Sequence, residues 1–349
     1  MADLWGADGT AQIAMPGDNG DWTNYDNFLQ ALFTAIKQNN MTPGLDFEIW
    51  NEPDLNNVFW QRDEAQYLQM WGHAYSRIRS GLSGVPIVGP CSSSQPSLSN
   101  NWYINYYPFI KSNNSVPNYY CWHEETSGDD IANSVAGHKA LISKYGLPTK
   151  PIIINEYALP EEQVPGAAAW FISRLERYNV TGLRGNWASH YSLHDYLGNM
   201  LGKPDATEDC QDQSCVTSTG YWGNGEYNVY KYYYKNMTGS RVATTGSPDG
   251  LFDIYATRNG AAANTVKMLC GSRLSDNTWD ILVTNLDAVG LPPSGTINIH
   301  SYQFNYGAGT FDNVHVVDQG VFPHQYTNNQ LVFFVSPNQT TGYAFELVP

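Results

Sequence analysis

The stretch FEIWNEPDL, residues 47–55, decides the fold, because an apolar strand ends there abruptly in a Trp-Asn-Glu-Pro motif that carries Glu52. The stretch IIINEYALP, residues 152–160, repeats the pattern, since a second apolar strand ends in an asparagine followed by Glu156. The two glutamates are about a hundred residues apart, or about three units of a barrel whose eight units span about 250 residues. This spacing favours a β/α barrel with a carboxylate pair at its mouth.

Strand and helix patterns alternate through the first two-thirds of the chain, which indicates a parallel β/α architecture. Strands are predicted at residues 45–50, 85–90, 117–123, 150–157 and 182–190. Helices are predicted at residues 22–40, 64–82, 101–112, 130–146 and 165–179, and the tyrosine-rich residues 220–239 are a candidate for the last barrel helix. We therefore predict an α/β fold with a catalytic (β/α)8-type barrel over residues 1–235.

After residue 235 the pattern changes to seven short β-rich runs separated by Gly, Pro, Asn and Ser. Short strands without intervening helices are typical of an antiparallel β-sandwich. We predict this second, all-β domain over residues 236–349.

Composition and charge narrow the class of protein. The chain has 349 residues, 42% of them apolar and 15% charged, which is typical of a globular protein. Its 11 Trp, 24 Tyr and 13 Phe are sufficient for both a core and a surface that stacks on sugar rings. The net charge of −15, without a basic stripe, argues against nucleic acid and anionic membranes as partners and suits work at mildly acid pH. No apolar run is long enough to predict a membrane-spanning helix.

The two glutamates end the first and the fourth of four consecutive predicted strands, so they lie across the barrel mouth from each other. Two carboxylates across a pocket are what glycoside hydrolysis requires. One protonates the leaving oxygen, and the other attacks the anomeric carbon or activates water. A separation near 5–5.5 Å gives retention of configuration, and about 6.5–9.5 Å gives inversion. The alternative for Glu52 alone is that it caps the turn at Pro53 and Asp54.

The two motifs, in this order and at this spacing, resemble the retaining-glycosidase clan that is built on the β/α barrel. Within that clan, FEIWNEPDL and the β-rich region entered through YKYYYKNMTGSRV, residues 230–242, are similar to the secreted, fungal-type branch of glycoside hydrolase family 39. The resemblance implies that Glu52 is the acid/base on the fourth barrel strand and Glu156 the nucleophile on the seventh. It implies that Asn51 binds the sugar 2-hydroxyl. The substrate class that it implies is a xyloside, arabinoside or galactoside in a plant or microbial glycan.

Two further residues follow from the same resemblance. His123, at the end of the strand YYCWH, is expected beside Glu156, where it tunes the carboxylate by hydrogen bonding. The alternative is a strand-end histidine without chemistry. The family has a His-x-Tyr pattern here, whereas this chain has Glu124 and Glu125 after the histidine. Trp187 is placed to stack under the sugar in the innermost subsite, with barrel core as the alternative.

Structural roles are expected for the other glutamates near the motifs. Glu48 shares a strand face with Glu52, because side chains alternate along a strand, and we expect it lower in the barrel in a buried polar network. Glu161 and Glu162 lie in a polar loop after the second motif, and we expect both to be solvated.

Two of the five cysteines suit a disulfide if the compartment is oxidising. Cys210 and Cys215 lie five positions apart in a polar loop, which predicts a disulfide-closed loop, with a reduced pair as the alternative. Cys91, Cys121 and Cys270 lie in apolar contexts and are predicted to be buried. Sequons for N-glycosylation, which also arise by chance, occur at Asn40, Asn113, Asn179, Asn236 and Asn338. We expect a secreted glycoprotein, although the sequence starts without a signal peptide.

No metal and no cofactor is predicted. His190 and His194 are four positions apart, a spacing that suits metal binding on a helix. They lie in a predicted loop, however, with only Asp195 adjacent. The sequence says nothing about the oligomeric state.

The position of FEIWNEPDL also predicts an incomplete barrel. Three β/α units, or about 95 residues, are expected before a fourth strand, yet this one begins near residue 45. Residues 2–8 are a candidate third strand, and the first two units are then absent. Truncation is our preferred explanation, beside a natural variant closed by other means and a degenerate protein. The alternative function is therefore a catalytically weak or inactive carbohydrate-binding relative.

Overall fold

The computed structural model describes residues 14–56, 58–185, 200–202, 220–258 and 265–348. The α-helices within these ranges are α1 Thr23–Gln38, α2 Glu64–Gly81, α3 Asn101–Ser112, α4 Ile131–Tyr145, α5 Pro165–Tyr178 and α6 Gly225–Asn236. Short 3₁₀-helices lie at Asp18–Gly20, Pro160–Glu162 and Leu286–Val289.

The β-strands fall into an earlier and a later group. The earlier strands are β1 Phe47–Glu48, β2 Ile87–Ser92, β3 Tyr119–Trp122, β4 Ile152–Tyr157, β5 Thr181–Arg184, β6 Leu201–Gly202 and β7 Trp222–Gly223. The later strands are β8 Ser240–Val242, β9 Phe252–Arg258, β10 Val266–Ser272, β11 Trp279–Val283, β12 Gly295–Phe304, β13 Val317–Tyr326, β14 Leu331–Val335 and β15 Gly342–Val348.

Strands β1 to β5 form one sheet in chain order. Neighbouring strands from β1 to β4 pair in parallel, in the registers Phe47↔Ile87, Val88↔Tyr119 and Tyr120↔Ile152. The sheet curls as part of a barrel, with helices in the connections, so the predicted α/β class is confirmed. Because parallel neighbours point the same way, their carboxyl ends meet at one edge of the sheet, where α/β proteins bind their ligands.

Every strand and helix predicted over residues 22–190 overlaps an observed element. Three helices begin at N-cap residues that can be recognised in the sequence. The side-chain oxygens of Asp63, Asn100 and Asp130 accept a backbone N–H in the first turns of α2, α3 and α4. Helix α4 ends at Gly146, which adopts the left-handed conformation that glycine favours. Residues 2–8, the candidate third barrel strand, lie outside the described residues.

Strands β8 to β15 form two antiparallel sheets, one of six strands in the order β13-β12-β15-β10-β9-β8 and one made of β11 and β14. Each of the seven predicted β-rich runs overlaps one of these strands. Both sheets contribute to one apolar core, whose members include Met268, Ile281, Ile299, Phe333 and Leu347.

Helices α5 and α6 share a second core with the six-stranded sheet. Its members include Ala169 and Ile172 of α5, Val229 of α6, and Leu269 and Ala344 of the sheet. Leu269 alternates along β10 with Met268 of the first core, so the two cores use opposite faces of this sheet.

The chain divides into two compact units by its contacts. The first comprises Met1–Tyr157 and Tyr178–Leu183, and the second Ala158–Arg177 and Arg184–Pro349. The predicted domain boundary after residue 235 was drawn from the change of secondary-structure pattern rather than from contacts. It stays a prediction. No helix in the described part of the chain is long and apolar enough to cross a membrane.

Candidate active site

The chain places Glu52 in the loop after β1, four residues beyond Glu48, in a left-handed backbone conformation with φ at 41°. Its backbone N–H donates to the carbonyl of Cys91 at 2.9 Å, which ties the loop after β1 to the end of β2. Asp54 strengthens the tie, because its carboxylate accepts the backbone N–H groups of Ser93 and Ser94. A non-glycine residue with positive φ costs on the order of 1–3 kcal/mol. The surrounding hydrogen bonds therefore hold Glu52 in a strained position.

His123 is fully buried and brings the two motif glutamates together. Its Nδ1 lies 2.9 Å from Oε1 of Glu52 and 4.0 Å from Oε2 of Glu156. The backbone N–H of His123 donates to the carbonyl of Ser92 at 2.8 Å, which fixes the end of β3 against the end of β2. The side chains of Glu52 and Glu156 keep 12% and 21% of their surface exposed, so both carboxylates reach solvent.

Burial and neighbouring charges both shift the pKa values of the groups in this cluster. Burial is the largest influence on Glu156 and raises the pKa of its carboxyl, although the charge of His123 opposes this. For His123, burial favours the neutral ring, but the hydrogen bond to Glu52 and the nearby negative charges outweigh it and raise the pKa. The protonated imidazole is therefore favoured between the two carboxylates.

A polar network lies one step further down strands β1 and β4. Asn155 Nδ2 donates to Glu48 at 2.7 Å, and the thiol of Cys121 donates to Oδ1 of Asn155 at 2.8 Å. Burial raises the pKa of Glu48 to about 7, although the charge of His123 and a hydrogen bond from Cys91 oppose the shift. Glu48 itself is half-buried and lies in this polar network, as its position on the strand predicted.

Glu124 is a buried acid that was not predicted as a site residue, and it anchors the loop after β3. Its carboxylate accepts hydrogen bonds from Trp122 Nε1 at 3.0 Å and from the side chains of Ser134 and Gln95. Burial raises the pKa of Glu124 to about 7, and these hydrogen bonds oppose the shift. Its backbone N–H donates to the carbonyl of Glu156 at 2.9 Å, so this loop runs beside the end of β4.

Glu125 completes the cluster. One ligand-type atom from each of Glu52, His123 and Glu125 lies within 4.8 Å of the other two. Carboxylates and imidazoles also bind metal ions, but Nδ1 of His123 and Oε1 of Glu52 already face each other at hydrogen-bond distance. We therefore interpret the cluster as a hydrogen-bonded network, and the absence of a metal stays a prediction.

The remaining predicted site residues are divided between the described and the undescribed parts of the chain. Asn51 is half-buried and directly precedes Glu52. Trp187, Cys210 and Cys215 lie outside the described residues, as do the two histidines of the weighed metal site. The three other cysteines, Cys91, Cys121 and Cys270, are buried free thiols, as predicted.

One expectation about the acids near the second motif was wrong. Glu161 is exposed, but Glu162 is buried rather than solvated. Its carboxylate lies 2.5 Å from Nε of Arg273 and accepts the backbone N–H of Leu159 at 2.9 Å. The loop is polar in sequence, which is why both acids were expected to be solvated. Arg273, far away in sequence, compensates the buried charge of Glu162. Local sequence does not predict such a partner.

Comparison with solved structures identifies the fold. N2152 from Neocallimastix frontalis is similar to the chain with a TM-score of 0.76 and 24% sequence identity, over 96% of this chain and 78% of that one. The GH39 enzyme from Xanthomonas axonopodis pv. citri has a TM-score of 0.58 and 13% identity, over 94% and 73% of the two chains. A monomeric β-xylosidase from Caulobacter crescentus CB15 has the same TM-score and identity, over 94% and 75%. The chain has the fold of the family 39 glycoside hydrolases.

The chain is also similar in fold to an enzyme of another family of glycoside hydrolases. A family 44 endoglucanase from Clostridium acetobutylium has a TM-score of 0.57 and 12% identity, over 93% of this chain and 70% of that one. No protein-family model and no curated protein sequence matches the chain. At these identities the similarity establishes the family 39 fold, and the roles of residues rest on the geometry of this chain.

Proposed function

We propose that the chain is a retaining glycoside hydrolase that cleaves O-glycosidic bonds by double displacement. The observation that carries the proposal is the convergence of both motif carboxylates on His123 Nδ1, at 2.9 Å for Glu52 and 4.0 Å for Glu156. Two strand-end glutamates far apart in sequence meet at one partly exposed place, as a carboxylate pair for glycoside hydrolysis must.

The distance between the two carboxylates is compatible with retention. Because both lie against the same nitrogen, their nearest oxygens are separated by no more than the sum of the two distances, about 7 Å. Retaining enzymes place the two carboxyl groups about 5–5.5 Å apart, whereas inverting enzymes need about 6.5–9.5 Å to fit a water molecule. The bound is compatible with the retaining range.

In the proposed first step, Glu156 attacks the anomeric carbon while Glu52 donates its proton to the leaving oxygen. A glycosyl ester of Glu156 forms, and the bond to the leaving group breaks. In the second step Glu52 takes a proton from water, and the resulting hydroxide displaces Glu156 with a second inversion. The net result is hydrolysis with the original configuration.

The positive charge of His123 stabilises both carboxylates during this cycle. When Glu52 has given up its proton, the imidazolium at 2.9 Å stabilises the carboxylate that remains. The same charge favours the ionised form of Glu156, which is the nucleophilic form. Asn51 is proposed to bind the sugar 2-hydroxyl and Trp187 to stack beneath the sugar ring.

The finer assignments of fold and substrate belong to the same proposal. We infer that β1 to β5 correspond to strands four to eight of a (β/α)8 barrel, and that the two antiparallel sheets form a β-sandwich domain. The substrate is proposed to be a xyloside, arabinoside or galactoside, and one neighbour in the comparison is a β-xylosidase. Since plant and microbial wall glycans lie outside the cell, we propose that the protein acts there.

Replacement of the nucleophile tests the proposal. Glu156→Ala is expected to lower kcat on aryl xylosides, arabinosides or galactosides by at least about 10³-fold, because no covalent intermediate forms. Added azide then occupies the vacated space and restores part of the turnover, giving a glycosyl azide of inverted configuration. Glu161→Ala, which removes an exposed carboxylate, is the matched control and is expected to retain activity. Full activity of Glu156→Ala would show that another group is the nucleophile.

The alternative is a carbohydrate-binding relative with weak or no catalysis. It predicts that oligosaccharides bind, by calorimetry or retarded electrophoresis, while no reducing ends appear over long incubation. A metal-dependent enzyme is separated from both by dialysis against a chelator, which the retaining proposal expects to leave activity intact. Loss of activity that a divalent cation restores would instead assign Glu52, His123 and Glu125 to a metal.

A further inference from the structure

The end of β2 receives hydrogen bonds from both sides of the candidate active site. The backbone N–H of Glu52 donates to the carbonyl of Cys91 at 2.9 Å, and that of His123 donates to the carbonyl of Ser92 at 2.8 Å. Two adjacent carbonyls therefore place the two backbone segments that bring Oε1 of Glu52 within 2.9 Å of Nδ1 of His123. The conformation of this stretch sets the position of Glu52 relative to His123.

Asp54, two residues after Glu52, binds the loop that continues from β2. Its Oδ1 accepts the backbone N–H of Ser93 at 2.8 Å. Its Oδ2 accepts the backbone N–H of Ser94 at 2.9 Å, the hydroxyl of Ser94 at 2.5 Å and the hydroxyl of Ser93 at 3.1 Å. One carboxylate thus accepts four hydrogen bonds, and a charged acceptor makes stronger bonds than a neutral one. Asp54 is therefore a firm link between the loops after β1 and β2.

The loop after β2 is fixed on its other side by α3. Tyr103, which is fully buried, donates its hydroxyl to the carbonyl of Ser94 at 2.9 Å. Asn100, which caps α3, donates through Nδ2 to the hydroxyl of Ser94 at 3.0 Å. Asp54 therefore joins the segment of Glu52 to a fixed support. Glu52 needs such support, because its positive φ is a conformation that non-glycine residues avoid.

We propose that Asp54 is a positioning residue that directs the carboxyl group of Glu52 and thereby serves proton transfer rather than nucleophilic attack. The inference rests on the proposed role of Glu52 as the acid/base. A general acid must lie within hydrogen-bond reach of the leaving oxygen, and a displacement of about 1 Å can cost about 10²-fold in rate. The described hydrogen bonds of Asp54 run to the loop after β2 and not to β4, so attack by Glu156 is expected to be preserved without Asp54.

Leaving groups of different acidity separate the two roles. Asp54→Ala is expected to lose about 10–100-fold in kcat/KM on phenyl glycosides, whose leaving group needs a proton. Dinitrophenyl glycosides and 2-deoxy-2-fluoro glycosyl fluorides need none, and with them the rate of forming the intermediate is expected to match that of wild type. Azide is expected to speed turnover of dinitrophenyl glycosides by the variant but not by wild type, because release of the intermediate by water also needs Glu52.

Two further variants control this comparison. Asp54→Asn keeps one acceptor oxygen, so it is expected to show the same selectivity with a smaller loss, and it carries the test if Asp54→Ala does not fold. Asp26→Ala is the matched control, because Oδ1 of Asp26 lies 2.7 Å from Nε2 of His73 and joins α1 to α2. It is expected to lower the melting temperature and to leave the dependence on the leaving group unchanged. A purely structural role of Asp54 predicts equal losses on all these substrates, and that result overturns the proposal.

A measurement without substrate separates this proposal from the proposed function. In protein labelled with 15N at histidine, the hydrogen bond between His123 and Glu52 gives a low-field proton signal on Nδ1, which His123→Gln assigns by removing it. The proposal expects this signal in wild type and in Asp26→Ala, and its loss in Asp54→Ala. A signal that is unchanged in Asp54→Ala, or absent from wild type, overturns the proposal. If the signal behaves as expected but wild type neither hydrolyses glycosides nor is inactivated, the proposed function fails and the positioning of Glu52 by Asp54 stands.

Discussion

At the residue scale, Glu52 and Glu156 converge on the buried Nδ1 of His123. Glu52 and Glu156 each follow an asparagine at the end of an apolar strand, and that local pattern is visible without a structure. The bridge between Glu124 and Tyr157 depends on the register of β3 against β4, which no local pattern specifies. Glu162 was misjudged for the same reason, because its partner Arg273 is far away in sequence.

The acid/base assignment makes a separate prediction. Glu52→Ala is expected to slow hydrolysis of glycosides with poor leaving groups by about 10²–10⁴-fold, the usual contribution of a general acid. Substrates with good leaving groups are expected to form the intermediate readily and then accumulate it, which appears as a burst of released phenol. Azide is expected to yield a product of retained configuration. A uniform loss across leaving groups, without a burst, would contradict the role of Glu52.

His123 makes a prediction about stability and pH. The pKa of His123 is raised on folding, so its charge stabilises the fold below the unfolded pKa of about 6.5, and that stabilisation is lost as pH rises through the folded value. The difference in free energy of unfolding between wild type and His123→Gln should therefore shrink above about pH 6.5.

His138 is the matched control, because burial lowers its pKa to about 4 and it hydrogen bonds to Tyr107 at 2.6 Å. The difference between wild type and His138→Gln should grow as pH rises from about 4 to 6.5. Urea titrations at several pH values measure both differences. Equal pH dependence of the two variants would show that His123 is not held as a cation between the carboxylates.

At the element scale, sequence signals located the elements well and their ends less well. Helix α6 was predicted from residue 220 but begins at residue 225, because the side chain of Asn224 accepts the backbone N–H of Tyr227 and caps it. Strand β1 was predicted over six residues and spans two. Trp50, beyond its end, donates through Nε1 to the carbonyl of Phe59. Helix caps can be predicted from sequence, whereas this side-chain hydrogen bond cannot.

Gly137 in α4 gives the prediction at this scale. A Cβ at this position would lie 2.0 Å from the carbonyl oxygen of Pro96, in the segment that carries Gln95 to Glu124. Gly137→Ala is therefore expected to lower the free energy of unfolding by about 1–3 kcal/mol, although alanine favours a helix by about 1 kcal/mol. Ser143→Ala, at an exposed position of the same helix, is the control and is expected to be neutral or slightly stabilising. Thermal unfolding compares the two, and a stabilised Gly137→Ala would contradict the close approach.

At the scale of the whole molecule, composition predicted a protein suited to mildly acid pH. The buried acids provide a physical reason, because burial favours their protonated forms. Burial raises the pKa values of Glu124 and Glu226 to about 7. What composition could not predict is which acids are buried. It also could not predict that α5, which follows β4 in the alternating part of the chain, packs on the antiparallel sheet.

These acids predict how stability varies with pH. A carboxyl whose folded pKa exceeds its unfolded value keeps its proton longer in the native state, so stability falls as pH rises between about 4.5 and 7. A shift of this size corresponds to at most on the order of 3 kcal/mol per group. The melting temperature is therefore expected to be higher near pH 5 than near pH 8, and Glu124→Gln should flatten the decline. A melting temperature that rises steadily from pH 5 to pH 8 would contradict this assignment.

The most direct test of the central claim is to trap the covalent intermediate and find the residue that carries it. The protein is incubated with 2-deoxy-2-fluoro glycosyl fluorides of xylose, arabinose and galactose, digested, and analysed by tandem mass spectrometry. One of these sugars is expected to be attached to Glu156. A label on any other residue, or a wild-type protein that hydrolyses glycosides with inversion and takes up no label, would contradict it.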